Sequence, residues 1–191
     1  MGNRDKLLAS AKQLIAEKGY GEITARDLVT ASQTNLASIG YHFGSKDALL
    51  TEAVLDSFGD WGDDVTSTIG TITATDPVER LAAVLDALAT AFERDRSTTI
   101  ASVEAFARSP RSPEVRERLA ALYAEFRSQV AAVILGAEQN GDERHVGSLG
   151  LALIDGVALQ WLVDPEQAPS GADIATALRA LSAPAGAGEE G

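Results

Sequence analysis

Cysteine is absent from the 191 residues, and the chain has one methionine, two histidines and two tryptophans, with aromatics at 5%. Without cysteine there is no disulfide, no thiolate metal site and no thiol nucleophile. His42 and His145 stand roughly 100 residues apart, which leaves no metal-ligand spacing and no catalytic pair. No Gly-rich phosphate loop or other cofactor motif is present, so neither metal nor cofactor is expected, and the chain is not read as an enzyme. No apolar run reaches the ~20 residues of a membrane span. The first residues carry Arg4, Asp5, Lys6 and Lys12 in place of a signal peptide's apolar core. A soluble, cytoplasmic protein with no membrane partner is expected.

Lysine is absent beyond residue 46. Residues 1–50 hold six basic and five acidic side chains, whereas residues 51–191 hold ten basic and 23 acidic ones, for a net charge of −12. Phosphate is repelled by the long acidic part, so any nucleic-acid contact must lie at the N-terminal end. An acidic surface that only confers solubility would look the same.

What is present is helical periodicity. Leu7, Ala11, Leu14 and Ile15 form a stripe over about 4–18, closed by Gly19. Thr24 and Asp27 form a capping box for a short second helix. Ser32-Gln33-Thr34 is a short connection, and Asn35 caps a third helix from Leu36 to Phe43. Gly44 stops it, and Ser45 caps a fourth. Further stripes follow Asp76-Pro77, cover about 98–107, follow Ser112-Pro113 as far as Asn140-Gly141, cover 145–163, and follow Ser170. Thr66–Thr75 is Thr/Ile-rich enough for a strand, yet has nothing to pair with. Residues 184–191 carry no stripe and read as disordered. The expected fold is all-α, with about nine helices.

A first helix followed by two short helices across a tight turn is the helix-turn-helix arrangement, which many helical corners also resemble. Burial of Leu7, Leu14, Ile15, Leu28, Ile39 and Phe43 leaves the outer face of the third helix, Leu36, Ala37, Gly40 and Tyr41, free to enter a major groove about 12 Å wide. Thr24 at the second helix and Ser45-Lys46 at the fourth are candidate phosphate sites, and Tyr41 and His42 are candidate donors.

The stretch from Lys6 to Leu55 resembles the N-terminal domain of TetR-family transcriptional regulators. The matching residues are Glu17-Lys18-Gly19-Tyr20, Thr24 with Arg26-Asp27-Leu28, Asn35-Leu36-Ala37-Ser38-Ile39, Tyr41-His42-Phe43-Gly44-Ser45-Lys46 and Ala48-Leu49-Leu50. Leu153 to Trp161 is similar to the penultimate helix of many members. The resemblance implies a helix-turn-helix domain (1–47), a ligand-binding and dimerisation domain (48–183) and the tail. It implies a homodimer that binds a near-palindromic duplex operator and is released by an unknown small-molecule inducer. Carried over by position, the DNA-binding residues are Thr24, Arg26, Asn35, Leu36, Ala37, Ser38, Gly40, Tyr41, His42 and Lys46. The family turn usually has Gly-Val where this chain has Gln33-Thr34, and if the turn needs a positive φ at Gln33 a non-glycine costs something there. A helical module that no longer reads DNA is the alternative.

Residues 145–163 are apolar almost all round and are read as both core and dimer contact. The interface set is Leu149, Leu153, Gly156, Val157, Gln160, Trp161, Ile174 and Leu178. The candidate ligand-pocket set is Phe58, Trp61, Val84, Leu88, Phe92, Val103, Phe106, Tyr123, Phe126 and Trp161, any of which could equally be core. Gly59 and Gly62 are expected to lower the stiffness of the fourth helix.

Overall fold

The computed structural model describes residues 2–69, 74–136 and 141–183, residues 58–69 as backbone only. Its described regular structure is entirely helical: α1 (Asn3–Lys18), α2 (Ala25–Ser32), α3 (Leu36–Phe43), α4 (Lys46–Ile69), α5 (Pro77–Arg94), α6 (Arg96–Arg108), α7 (Pro113–Leu135), α8 (Glu143–Val163) and α9 (Gly171–Ser182), with 3₁₀ turns at Tyr20–Glu22 and Ser109–Arg111. Thr66 to Ile69 is helix rather than strand. The proposed tail and the Phe58 and Trp61 side chains lie outside the described residues.

Local chemistry sets most helix starts. Thr24, Asn35, Asp76, Ser112 and Ser170 each accept a backbone N–H of the turn they cap. Asp95 does the same for Thr98 at 3.1 Å, so α6 begins earlier than its apolar stripe implied. α7 ends at Leu135 because Gly136 takes φ +61, well before the expected stop at Asn140-Gly141.

Two cores result. The first buries Leu7, Leu14, Ile15, Leu28, Ile39 and Phe43, as the periodicity implied. It also takes in Tyr20 and Ile23, then Leu49, Leu50, Ala53 and Val54 of α4, and Ala101 and Ala105 of α6. The three-helix head is therefore continuous with the body. The second core joins α5, α7 and α8 through Leu81, Leu85, Phe92, Ile134, Val157 and Trp161, with Ile174 and Leu178 of α9 packed on it.

By length and composition α8 could cross a membrane, contrary to the expectation that no segment would. Here one side of it is buried through Gly147, Gly150, Leu151, Val157 and Trp161. A Cβ on Gly147 would collide with the Arg127 backbone carbonyl, and one on Gly150 would press on Val130. Those two glycines let α8 lie tightly on α7. Gly147→Ala is expected to cost about 1–3 kcal/mol through forced backbone separation. Urea unfolding checks this, as a lowered midpoint with an unchanged slope.

Candidate functional site

The α2–α3 turn is built around Gln33, whose φ of 53° and ψ of 41° lie in the left-handed region. It is the only non-glycine at positive φ among the described residues. A side chain there costs roughly 1–2 kcal/mol, which glycine would avoid. Thr34 is accommodated by a polar relay. Its hydroxyl lies 2.8 Å from Ser32 Oγ, and Ser32 donates to the Leu28 carbonyl at 2.6 Å. Asn35 Oδ1 then accepts the Ser38 N–H at 3.0 Å and the Ser38 hydroxyl at 3.2 Å.

That last contact corrects one expectation. Ser38 is only 8% exposed and serves the cap, so it does not face outward. The outer face of α3 is Leu36, Ala37, Gly40 and Tyr41, with Leu36 56% and Tyr41 85% exposed. A Cβ built on Gly40 would meet nothing within 4 Å. His42 is half-buried, with its ring edge-on to Tyr41 at 4.8 Å. Arg26 is exposed on α2 beside this face.

The two helix N-termini read as phosphate sites each carry a side-chain cap from within the chain. Asp27 accepts the Thr24 N–H at 2.8 Å and the Thr24 hydroxyl at 2.7 Å, and pairs with Lys18 at 2.9 Å. Lys18 and then Thr24 hold the Asp27 carboxyl well below the usual carboxylate range. At α4, Ser45 accepts the Ala48 N–H at 3.1 Å but donates its hydroxyl to Glu114 of α7 at 2.7 Å. Lys46 donates to the Ile23 carbonyl at 2.8 Å and lies 3.5 Å from Asp47. Thr24 and Lys46 both take part in contacts within the chain, Thr24 staying exposed and Lys46 half-buried. Glu114, absent from the sequence expectation, is the acidic partner at this helix start.

The candidate pocket residues divide. Val84, Phe92 and Trp161 are core, and the Phe92 and Trp161 rings lie 6.0 Å apart. Leu88, Val103, Phe106, Tyr123 and Phe126 are half-buried. Phe106 and Tyr123 meet edge-to-face at 5.5 Å, and the Tyr123 hydroxyl donates to Asp155 of α8 at 2.5 Å. Burial pushes the Asp155 carboxyl above its ordinary value. Burial and then Asp155 push the Tyr123 phenol far up. Sequence reasoning passed over Asp155, although a lone acid inside Leu153-Ile-Asp-Gly-Val157 was a visible signal. A cleft of about 550 Å³ lies elsewhere, where head meets body, lined by Asp47, Glu104, Arg108 and Arg111.

The interface set also divides. Val157 and Trp161 are buried, and Leu153, Ile174 and Leu178 pack on the same core. Leu153, Ile174 and Leu178 remain partly exposed. Leu149, Gly156 and Gln160 do face outward or sit at the boundary, joined by Ala152, Leu159 and Val163 in one helical stripe, with Val163 88% exposed.

Comparison with known proteins agrees with this architecture. Residues 7–53 match the model for bacterial regulatory proteins of the tetR family, and residues 77–184 match that for the C-terminal domain of BetI-type transcriptional repressors. The chain is 28% identical over 178 residues to the HTH-type transcriptional regulator BetI of Agrobacterium fabrum, covering 92% of this chain and 83% of that one. A putative regulator from Saccharomonospora viridis, solved in complex with choline, is 26% identical, with a TM-score of 0.61 and coverage of 93% and 94%. A putative regulator from Rhodococcus sp. RHA1 shares the fold at 16% identity, with a TM-score of 0.70 and 93% coverage of both chains. Such regulators bind DNA and small-molecule ligands, typically as dimers. A reading head opening onto α3 and a BetI-type body behind it make this chain a member of the TetR family of transcriptional regulators, with an N-terminal DNA-binding and a C-terminal ligand-binding domain.

Proposed function

We propose that the chain is a repressor that binds a near-palindromic operator as a homodimer and is released by a small cationic ligand. The observation that carries the DNA reading is the unobstructed Leu36–Tyr41 face of α3. Arg26, Asn35, Leu36, Ala37, Gly40, Tyr41 and His42 form the contact set, Tyr41 and Arg26 meeting phosphate. The outward stripe of α8 pairs with its symmetry mate, since a solvent-facing row of Leu and Val on a helix already packed on its other side calls for a partner. In a two-fold dimer the two α3 helices then sit about one DNA turn, roughly 34 Å, apart.

For the ligand, Asp155 offers a half-buried carboxylate and Phe106 and Tyr123 offer ring faces and edges. A carboxylate beside aromatic rings is the chemistry that holds a quaternary ammonium. The choline-bound relative supports the same class. α4 carries the response, because it runs as unbroken helix from the head through Gly59 and Gly62.

Arg26→Ala is expected to reduce the slope of log K against log salt by about 1. Tyr41→Phe weakens binding by roughly 1 kcal/mol through loss of one hydrogen bond. Lys46→Ala is expected to lower stability while leaving the slope unchanged. Fluorescence anisotropy in a salt series measures the binding changes, thermal melting measures the stability of Lys46→Ala, and an unchanged slope for Arg26→Ala removes it from the contact set.

Asp155→Asn is expected to abolish choline binding in calorimetry while raising the melting temperature of the free protein at neutral pH. The sign follows from the raised carboxyl pKa in the fold. This group favours the native state fully below its ordinary pKa, and that contribution is lost as pH rises through the raised value. Choline binding runs the other way, fading as pH falls and Asp155 takes up a proton. Retention of choline affinity in the Asn variant would overturn the cationic assignment.

A further inference from the structure

The outer face of α3 lacks every side chain that usually reads a base edge by paired hydrogen bonds. Arg and Lys on guanine, and Asn and Gln on adenine, are the common direct readers. Here the exposed positions are Leu36, Ala37, Gly40 and Tyr41. Asn35 stands at the end of the helix with its Oδ1 committed to Ser38. The one hydrogen-bonding side chain on the exposed face is the Tyr41 phenol. Gly40, with open space at its Cβ position, leaves a notch between Ala37 and Tyr41 that lets the backbone approach the groove floor.

The apolar feature that a major groove presents to such a surface is the 5-methyl group of thymine. We infer that α3 reads its operator by apolar contact with thymine methyls, with Leu36 and Ala37 as the specificity-determining residues and Gly40 permitting the close approach. The helix thus selects T·A steps by shape and methyl burial. Hydrogen bonding to bases is left to the flank of the face, where Gln33 is exposed. This rests on the DNA-binding reading of the head and names what that head recognises.

Deoxyuridine tests it, because it differs from thymidine only by the methyl and keeps the same O4 acceptor and pairing edge. The full-length chain is used to select duplexes from a randomised library. The enriched duplex is then resynthesised with single T-to-dU replacements, and Kd is measured for the wild type and Leu36→Ala. At one or two thymines in each half-site, dU is expected to weaken wild-type binding about fourfold, the effect of burying one methyl group. Leu36→Ala weakens binding to the thymine duplex but adds little on the dU duplex, because both changes remove the same contact. Circular dichroism and the melting temperature of the variant confirm that its head is folded. If every dU duplex binds as tightly as its parent, methyl reading is overturned and the regulator assignment stands. If the selection enriches nothing, methyl reading falls together with the DNA-binding reading.

Discussion

The phenol ring of Tyr20 is where three parts of the molecule meet. It is fully buried in the turn after α1. Its hydroxyl lies 3.0 Å from Thr51 Oγ1 and donates to the Asp47 carbonyl at 3.1 Å, which fixes the first turns of α4. The Arg108 guanidinium of α6 covers the ring at 5.0 Å and reaches Asp47 at 3.2 Å. Burial raises the phenol pKa, so the group stays neutral and hydrogen-bonded at any physiological pH. A buried hydroxyl without partners costs about 1–3 kcal/mol, so these contacts select one orientation of the head relative to α4 and α6. The direction in which α3 faces is inherited from that packing.

Around this plug the seam between head and body is made of charge. Glu52 of α4 takes Arg4 of α1 on one side and Arg118 of α7 on the other. Glu114, one turn earlier in α7, holds the hydroxyl of Ser45. Partly exposed pairs of this kind are worth at most about 1 kcal/mol each, so they are weak as stabilisers. Their weakness suits a regulator. Their partners on the head side, Ser45 and Glu52, lie at the cap and in the second turn of α4. Under the proposed function, a cation at Asp155 acts on α7 through Tyr123 and so reaches the same seam.

The head was legible because its signals are local. Thr24 with Asp27, Asn35 before α3 and Gly44 after it are decided within four residues, and all sit where the sequence placed them. Even the strain at Gln33 was foreshadowed by the glycine that the family turn usually has there. Ser38 was misplaced because its destination depends on helix phase at an eight-residue helix, where one step separates cap from surface. The contact of Lys46 with the Ile23 carbonyl was not legible, because its partner lies 23 residues away. α8 was legible as helix but not as faces. With apolar residues all round, nothing in its own pattern distinguishes Trp161, which is core, from Leu159, which is exposed. The contact of Gly147 and Gly150 with α7 decides the phase, and that is a tertiary fact.

The charge distribution makes a stronger demand on the reading face than the fold does. The body repels phosphate, so attraction must come from the six cations of the first 50 residues. Four of them are committed within the chain: Arg4 to Glu52, Lys12 to Asp56, Lys18 to Asp27 and Lys46 to Asp47 and the Ile23 carbonyl. A head in which most cations already have partners must exchange those pairs for phosphate contacts, which lowers the net gain from counterion release. Under the proposed function, discrimination then comes from the fit of α3 to base edges, and a face rich in Leu, Ala and Gly fits best where the groove wall is itself apolar. Weak general attraction and an apolar reading surface are therefore consequences of one another. Under the proposed function, a chain this acidic finds its operator more by close contact than by charge.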